Sequence, residues 1–179
     1  MRYSFTVLTA ILVAVLLMLT CQDAPSDQEI RASVIEGSTV TVSLLPARSE
    51  VAVGDKILFS IQVYANRSLS AADIELSFAS QYVQVVAFGA GDALGPSPLR
   101  GIDHIDNGAG SARIALARVG PSDITGPVES TLATVMLEIV GSLADTNLSL
   151  SISQIELVDG KYNIISEVIA NQAVLTSEQ

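Results

Sequence analysis

His104 is the only histidine in the 179 residues and Cys21 the only cysteine, so nucleophilic or soft-metal chemistry would have to be built around one or the other. A Ser-His-Asp arrangement would need His104 as its base, and the sequence lacks the Gly-x-Ser-x-Gly elbow that presents a serine nucleophile. A glycosidase pair of carboxylates needs a cleft between them, and a chain this short in short alternating runs leaves little room for one. "GIDHIDNG" gathers Asp103, Asp106 and Asn107 beside His104. Calcium takes six to eight oxygens, and this stretch lacks the alternating acidic spacing of an EF-hand loop. One histidine and one cysteine do not make a zinc site. The stretch reads as a polar turn between strands. The expectation is a chain that is not an enzyme, with no catalytic residue, metal or cofactor.

The elements that would position these groups are strands. Val40, Val42 and Leu44 alternate with Thr39, Thr41 and Ser43. Ile57, Phe59, Ile61 and Val63 alternate with Leu58, Ser60, Gln62 and Tyr64. The same period of two runs through Ile74, Leu76 and Phe78, through Ile114 and Leu116, through Val135, Leu137 and Ile139, and through Leu148, Leu150 and Ile152. Further runs cover Val83 to Ala87 and Ile169 to Thr176. Such alternation buries one face and leaves the other wet. Past Ile152 the apolar phase slips by one residue, to Ile155 and Leu157, which predicts a β-bulge. "VGDK", "NRS", "DNGAGS", "SLADTN" and "VDGK" supply turns between the runs. Several short strands separated by Gly, Pro, Asn and Asp predict an all-β antiparallel sandwich over 38–179.

The N-terminus reads as a targeting segment. Arg2 precedes an apolar stretch, "FTVLTAILVAVLLML", from Phe5 to Leu19. That is the layout of a secretory signal, predicted over 1–20, and it is short for a membrane span of roughly 20 residues. Cys21 stands where the apolar run stops, and "LMLTC" resembles the lipobox of bacterial lipoproteins. The expectation is a lipidated Cys21 and a polar tether over 21–37, on a secreted, cell-surface chain whose membrane contact is the lipid anchor alone.

Composition removes other classes. The net charge of -10 repels nucleic-acid phosphates and disfavours adsorption to anionic membranes. Sugar binding on a flat sheet uses aromatic rings, and the chain has no tryptophan and only 4% aromatic residues. Attachment to a polysaccharide, as a carbohydrate-binding module, stays open as the alternative through polar loops.

The order of segments resembles the cohesin domain, the receptor module of bacterial cellulosome scaffolds. The resemblance rests on "VAVGDKILFSIQV", "AADIELSFASQYVQVVAF", "GSARIALARVGPSDITG", "STLATVMLEIVG" and "SISQIELVDGKYNII". It implies a nine-stranded jelly-roll sandwich that binds a dockerin, a small calcium-loaded helical module, on one sheet. Carried onto this sequence, the family's third strand offers Asp73, Glu75 and Ser77. Its sixth offers Arg113, Ala115 and Ala117, and its eighth Ser149, Ser151 and Ser153. Asp73 falls where many cohesins carry an acidic contact residue, and Ala71 where an Asn is common. Phe78-Ala79-Ser80 replaces the usual Tyr-Asp-Pro. The small side chains leave a plateau across which a partner helix can lie, with Asp73, Glu75 and Arg113 setting register at its margin. The implied setting is a polysaccharide-degrading assembly.

Overall fold

The structure, a computed structural model, describes residues 40–120, 127–143 and 147–177. The expected signal segment, Cys21 and the tether lie outside the described residues. The described residues form eleven strands: β1 (Val40–Leu45), β2 (Arg48–Val51), β3 (Lys56–Ala65), β4 (Leu69–Ser77), β5 (Val83–Ala90), β6 (Leu99–Asp106), β7 (Ser111–Ala117), β8 (Val128–Ile139), β9 (Leu148–Asp159), β10 (Val168–Asn171) and β11 (Ala173–Ser177). They build a five-stranded sheet in the order β10-β1-β3-β8-β5 and a six-stranded sheet in the order β2-β11-β9-β4-β7-β6.

Two features depart from the expected nine-stranded antiparallel sandwich. The first and last runs each break and serve both sheets. Pro46 has no amide proton to continue a ladder, and the chain leaves β1 in one sheet to become β2 in the other. At the opposite end Gln172 separates β10 from β11 in the same way. The terminal runs lie side by side, so β1 pairs with β10, and β2 with β11, in parallel. Both sheets are therefore mixed.

The core is made by the alternation read from the sequence. Phe59, Ile61 and Val63 of β3, Ile74 and Leu76 of β4, Ile114 and Leu116 of β7, Val135, Leu137 and Ile139 of β8, and Leu148 and Leu150 of β9 are all buried, as is Phe78. Ile57 and Ile152 pack against this core while staying partly exposed. The slip in β9 is a bulge. Leu76 faces Ile152 and Glu75 faces Gln154, so Ser153 has no partner of its own in β4. Beyond it Ile155 and Leu157 turn inward, and Gln154, Glu156 and Val158 turn outward.

"GIDHIDNG" corrects the reading of a turn. Its first six residues belong to β6, and the turn spans 107–110. Asp106 accepts a hydrogen bond from the Ala109 amide at 2.9 Å, and Asp103 pairs with Arg100 at 2.8 Å. Gly110 closes the turn with φ +71°, where a Cβ would sit 2.3 Å from the Phe78 carbonyl oxygen. β6 is also tied to the other sheet by side chains. Arg100 donates to the Phe88 carbonyl at 2.8 Å, and the Asn107 amide both accepts from Val85 N and donates to Val85 O. These bonds cover sheet edges that would otherwise be open to pairing.

Candidate functional site

The outer face of the six-stranded sheet is ordered by its register, because residues opposite one another in antiparallel strands share a face. Ala71 of β4 lies opposite Ala117 of β7 and Val158 of β9, and Ala117 lies opposite Leu99 of β6. After Asp159 the chain folds back, and Ile164 bridges Val158. One row across the sheet thus reads Ile164, Val158, Ala71, Ala117, Leu99, apolar throughout. Its two ends protrude, Ile164 being 65% and Leu99 61% exposed, whereas the middle is alanine.

The second row holds Glu156, Asp73, Ala115 and Ile102, and the third Gln154, Glu75, Arg113 and His104. Arg113 reaches diagonally to Asp73, with Nε to Oδ1 at 2.8 Å and Nη2 to Oδ2 at 2.6 Å. This fork-shaped pair is the strong form of a carboxylate contact. The Asp73 hydrogen bonds, then its charge, hold the Arg113 proton more tightly than usual. Glu75 and Glu156 act on Arg113 only through space, and neither forms an ion pair among the described residues. The fourth row holds Ser151, Ser77, Ser111 and Asp106.

All nine residues expected at the site therefore lie on β4, β7 or β9 of one sheet. They are not one cluster. Asp73, Glu75, Arg113, Ala115 and Ala117 fall together. Ser149 faces Val174 of β11, beyond the serine row, at the far end of the face. The Ser153 hydroxyl donates to the Glu75 carbonyl at 3.2 Å and so helps seat the bulge.

The rows create a shallow depression of about 220 Å³ between β9 and β6. Ala71, Ala115 and Ala117 form its floor, Val158 and Leu99 its sides, with Asp73 and Glu156 at the lower margin. Sequence reasoning missed the sides. Glu156 and Val158 follow from carrying the shifted phase past the β9 bulge. Ile102 sits in the stretch whose sequence reads as a turn, and Leu99 just before it, on a strand the alternation does not show. Ile164 comes from the hairpin return held by Asp159, whose carboxylate accepts from the amides of Lys161 at 2.8 Å and Asn163 at 2.9 Å. Those bonds, the Asn163 amide first, hold the buried Asp159 carboxyl below the usual carboxylate range against the opposing effect of burial.

The described aromatic side chains do not form a platform. Phe59, Phe78 and Phe88 are buried, and Tyr82 packs against the core. Tyr64 points out from β3 on the five-stranded sheet, and Tyr162 stands on the loop after β9.

No protein-family profile matches the chain, and no curated protein sequence matches it. Solved structures do. A type II cohesin dyad from the adaptor ScaA scaffoldin of Acetivibrio cellulolyticus superposes with a TM-score of 0.63 at 18% identity, over 80% of this chain. The chain spans 49% of that dyad. A non-cellulosomal cohesin from the hyperthermophilic archaeon Archaeoglobus fulgidus gives 0.59 at 16% identity, covering 78% of this chain and 92% of its own. The third cohesin of ScaC from A. cellulolyticus, solved in complex with the ScaB dockerin, gives 0.63 at 12% identity, covering 79% and 100%. At these identities the likeness is one of fold: the described β-sandwich has the cohesin fold.

Proposed function

We propose that the chain is a non-catalytic, extracellular protein-interaction module of cohesin type. It binds a dockerin-like partner through the outer face of the six-stranded sheet, with Asp73, Glu75, Arg113, Ala115 and Ala117 at the centre and Ser77, Ser149, Ser151 and Ser153 toward one end. Cys21 serves as a lipid anchor at the bacterial surface, and the setting is a polysaccharide-degrading assembly.

The observation that carries this reading is the face itself. It combines a floor of small side chains, protruding apolar margins and carboxylates without ion partners, and such a surface gains by being covered. The solved ScaC cohesin in complex with a dockerin supports the choice of partner class. The carbohydrate-module alternative is weaker, because the two outward tyrosines lie on different elements and offer no strip of rings to a glycan.

The test is a calorimetric titration of the full chain with purified calcium-loaded dockerin modules encoded in the same genome, beside a pull-down on insoluble cellulose. Saturable binding of a dockerin is expected. Retention on cellulose with no dockerin bound would replace this reading with direct glycan attachment.

A further inference from the structure

Asn107 is the one asparagine of the sequence that a glycine follows, and its side chain ties the two sheets together. We propose that Asn107–Gly108 is a site of spontaneous deamidation which the fold holds off through this tie, and that conversion frees the β5 edge irreversibly. The site is independent of what the outer face of the six-stranded sheet binds.

The tie follows from where the sheets end. β5 is the last strand of the five-stranded sheet and β6 the last of the six-stranded one, and among the described residues no strand pairing joins them. Side chains join them instead. Asn107 Oδ1 accepts from the Val85 amide at 2.8 Å, and Asn107 Nδ2 donates to the Val85 carbonyl at 3.0 Å. Arg100 makes a second tie, to the Phe88 carbonyl at 2.8 Å. Val85 stands where the β5 ladder slips, so the edge there is already irregular. A primary amide offers one acceptor and one donating group, and so meets both backbone groups of Val85 as a neighbouring strand would. A carboxylate has no donor for the Val85 carbonyl.

The chemistry needs only water. The Gly108 backbone nitrogen gives up its proton and attacks Asn107 Cγ. A Cγ–N bond forms, the Cγ–Nδ2 bond breaks, and Nδ2 takes up a proton and leaves as ammonia. Water then opens the cyclic imide at either carbonyl, leaving an aspartate or an isoaspartate at position 107. Gly108 is exposed on its turn and has no side chain to hinder the attack. Ring closure turns Cγ toward the chain's own backbone and expels Nδ2, so both bonds to Val85 must first be given up. The reaction therefore waits on opening of the seam, and its product cannot close the seam again. The Val85 carbonyl is then left facing a negative charge, on an edge that other strands can pair with.

The full chain is incubated at mildly alkaline pH, in native buffer and in strong denaturant. Conversion is scored by the mass gain and isoaspartate content of the peptide carrying Asn107. Conversion is expected to be about tenfold or more slower in native buffer, and this protection should match that of the Val85 amide against hydrogen exchange within about threefold, because one local opening releases both. Asn107→Asp, which makes the product directly, should lower the thermal midpoint and strip the Val85 amide of its protection. Gly108→Ala should keep the midpoint and the Val85 protection and convert several times more slowly even in denaturant. Gly108 lies outside the positive-φ region, and its new Cβ would meet only the Asp106 side chain, at 3.3 Å.

Equal rates in buffer and denaturant would overturn the inference, as would a freely exchanging Val85 amide beside a protected Asn107. So would a Gly108→Ala chain that converts as fast as the parent, or an Asn107→Asp chain with midpoint and Val85 protection unchanged.

Discussion

The two outer faces of the sandwich share a core and differ in what they do with polar groups. On the five-stranded sheet four outward polar side chains bond in two pairs. Asn171 donates to the Ser43 hydroxyl at 3.0 Å, and Gln62 to the Thr131 hydroxyl at 2.7 Å. Register places these two bonds side by side, since Asn171 faces Ser43, Ser43 faces Gln62 and Gln62 faces Thr131. On the six-stranded sheet the corresponding area is alanine, with Glu75 and Glu156 left without ion partners. A face whose polar groups are already paired gains little from a partner. A face with an apolar floor and unmatched charge gains area and a salt link together. The contrast is a physical reason, independent of the resemblance, for proposing the six-stranded face as the binding side.

The largest expected effect removes both faces at once. Leu137 of β8 is fully buried in the shared core. Leu137→Ala should cost about 2–5 kcal/mol, from lost burial and the cavity left behind. Denaturant unfolding measures it, and both sheets should melt in one transition. A loss confined to one sheet would mean that the faces do not share a core energetically.

A sharper break of the comparison places the same bulky charge on each face. Ala115→Arg on the floor of the depression should weaken partner binding by about thirtyfold or more, since its bulk fills the depression that a partner side chain would enter. Ser60→Arg at the middle of the five-stranded face should leave affinity unchanged. Both positions point outward, so neither variant should shift the thermal midpoint by more than a few degrees, corresponding to less than about 1 kcal/mol. Calorimetry on the two variants decides it: equal losses would end the distinction between faces.

The loop that supplies Ile164 gives a pH-dependent test. The hydrogen-bonded Asp159 carboxyl titrates lower in the folded chain than in the unfolded one. Its contribution to stability is therefore complete above the ordinary carboxylate range and fades as pH falls through the depressed folded value. Asp159→Asn should destabilise the chain at neutral pH, and its deficit relative to the parent should shrink in acid. Asp92 is shifted in the same direction, chiefly by the Ser130 hydroxyl, but is exposed at the edge of the five-stranded sheet. Asp92→Asn should show the smaller deficit of the two. Melting curves between neutrality and pH 2 separate these outcomes.

Much of this was legible from residue types. β4 and β7 keep their bulky apolar side chains in one phase, and β3 does so apart from the outward Leu58 and Tyr64, which is the pattern of a half-buried strand. Even the β9 bulge was written in the slip from Leu150 and Ile152 to Ile155 and Leu157. β6 was not legible. In "LRGIDHID" only Ile105 is even half-buried, so there is no apolar phase to read. The sheet-switching of the terminal runs was also hidden, because alternation records which side chains are inside and not which sheet the backbone joins. For the site, Asp73, Glu75, Arg113, Ala115 and Ala117 could be placed from the central strands. Leu99, Ile102 and Ile164 could not, since they come from an unread strand and from a hairpin return that buried Asp159 organises.

The smallest expected difference concerns the ion pairs of the two faces. Arg113 and Asp73 make two hydrogen bonds in a fixed fork, whereas Lys56 and Glu138, on the five-stranded face, approach to 3.7 Å with more exposed side chains. Exposed single contacts contribute little, because side-chain entropy and solvent offset the attraction. Asp73→Asn should lower the thermal midpoint slightly, and the loss should diminish in about 1 M salt, where screening acts within about 3 Å. Lys56→Gln should leave the midpoint where it was at either salt concentration. Because Asp73→Asn strips Arg113 of its partner, the double variant Asp73→Asn with Arg113→Gln should recover part of what the single one loses. Thermal melts of the four chains at low and high salt measure all of this. If Lys56→Gln costs as much as Asp73→Asn, the fork contributes no more to the six-stranded face than a single exposed contact does to the other.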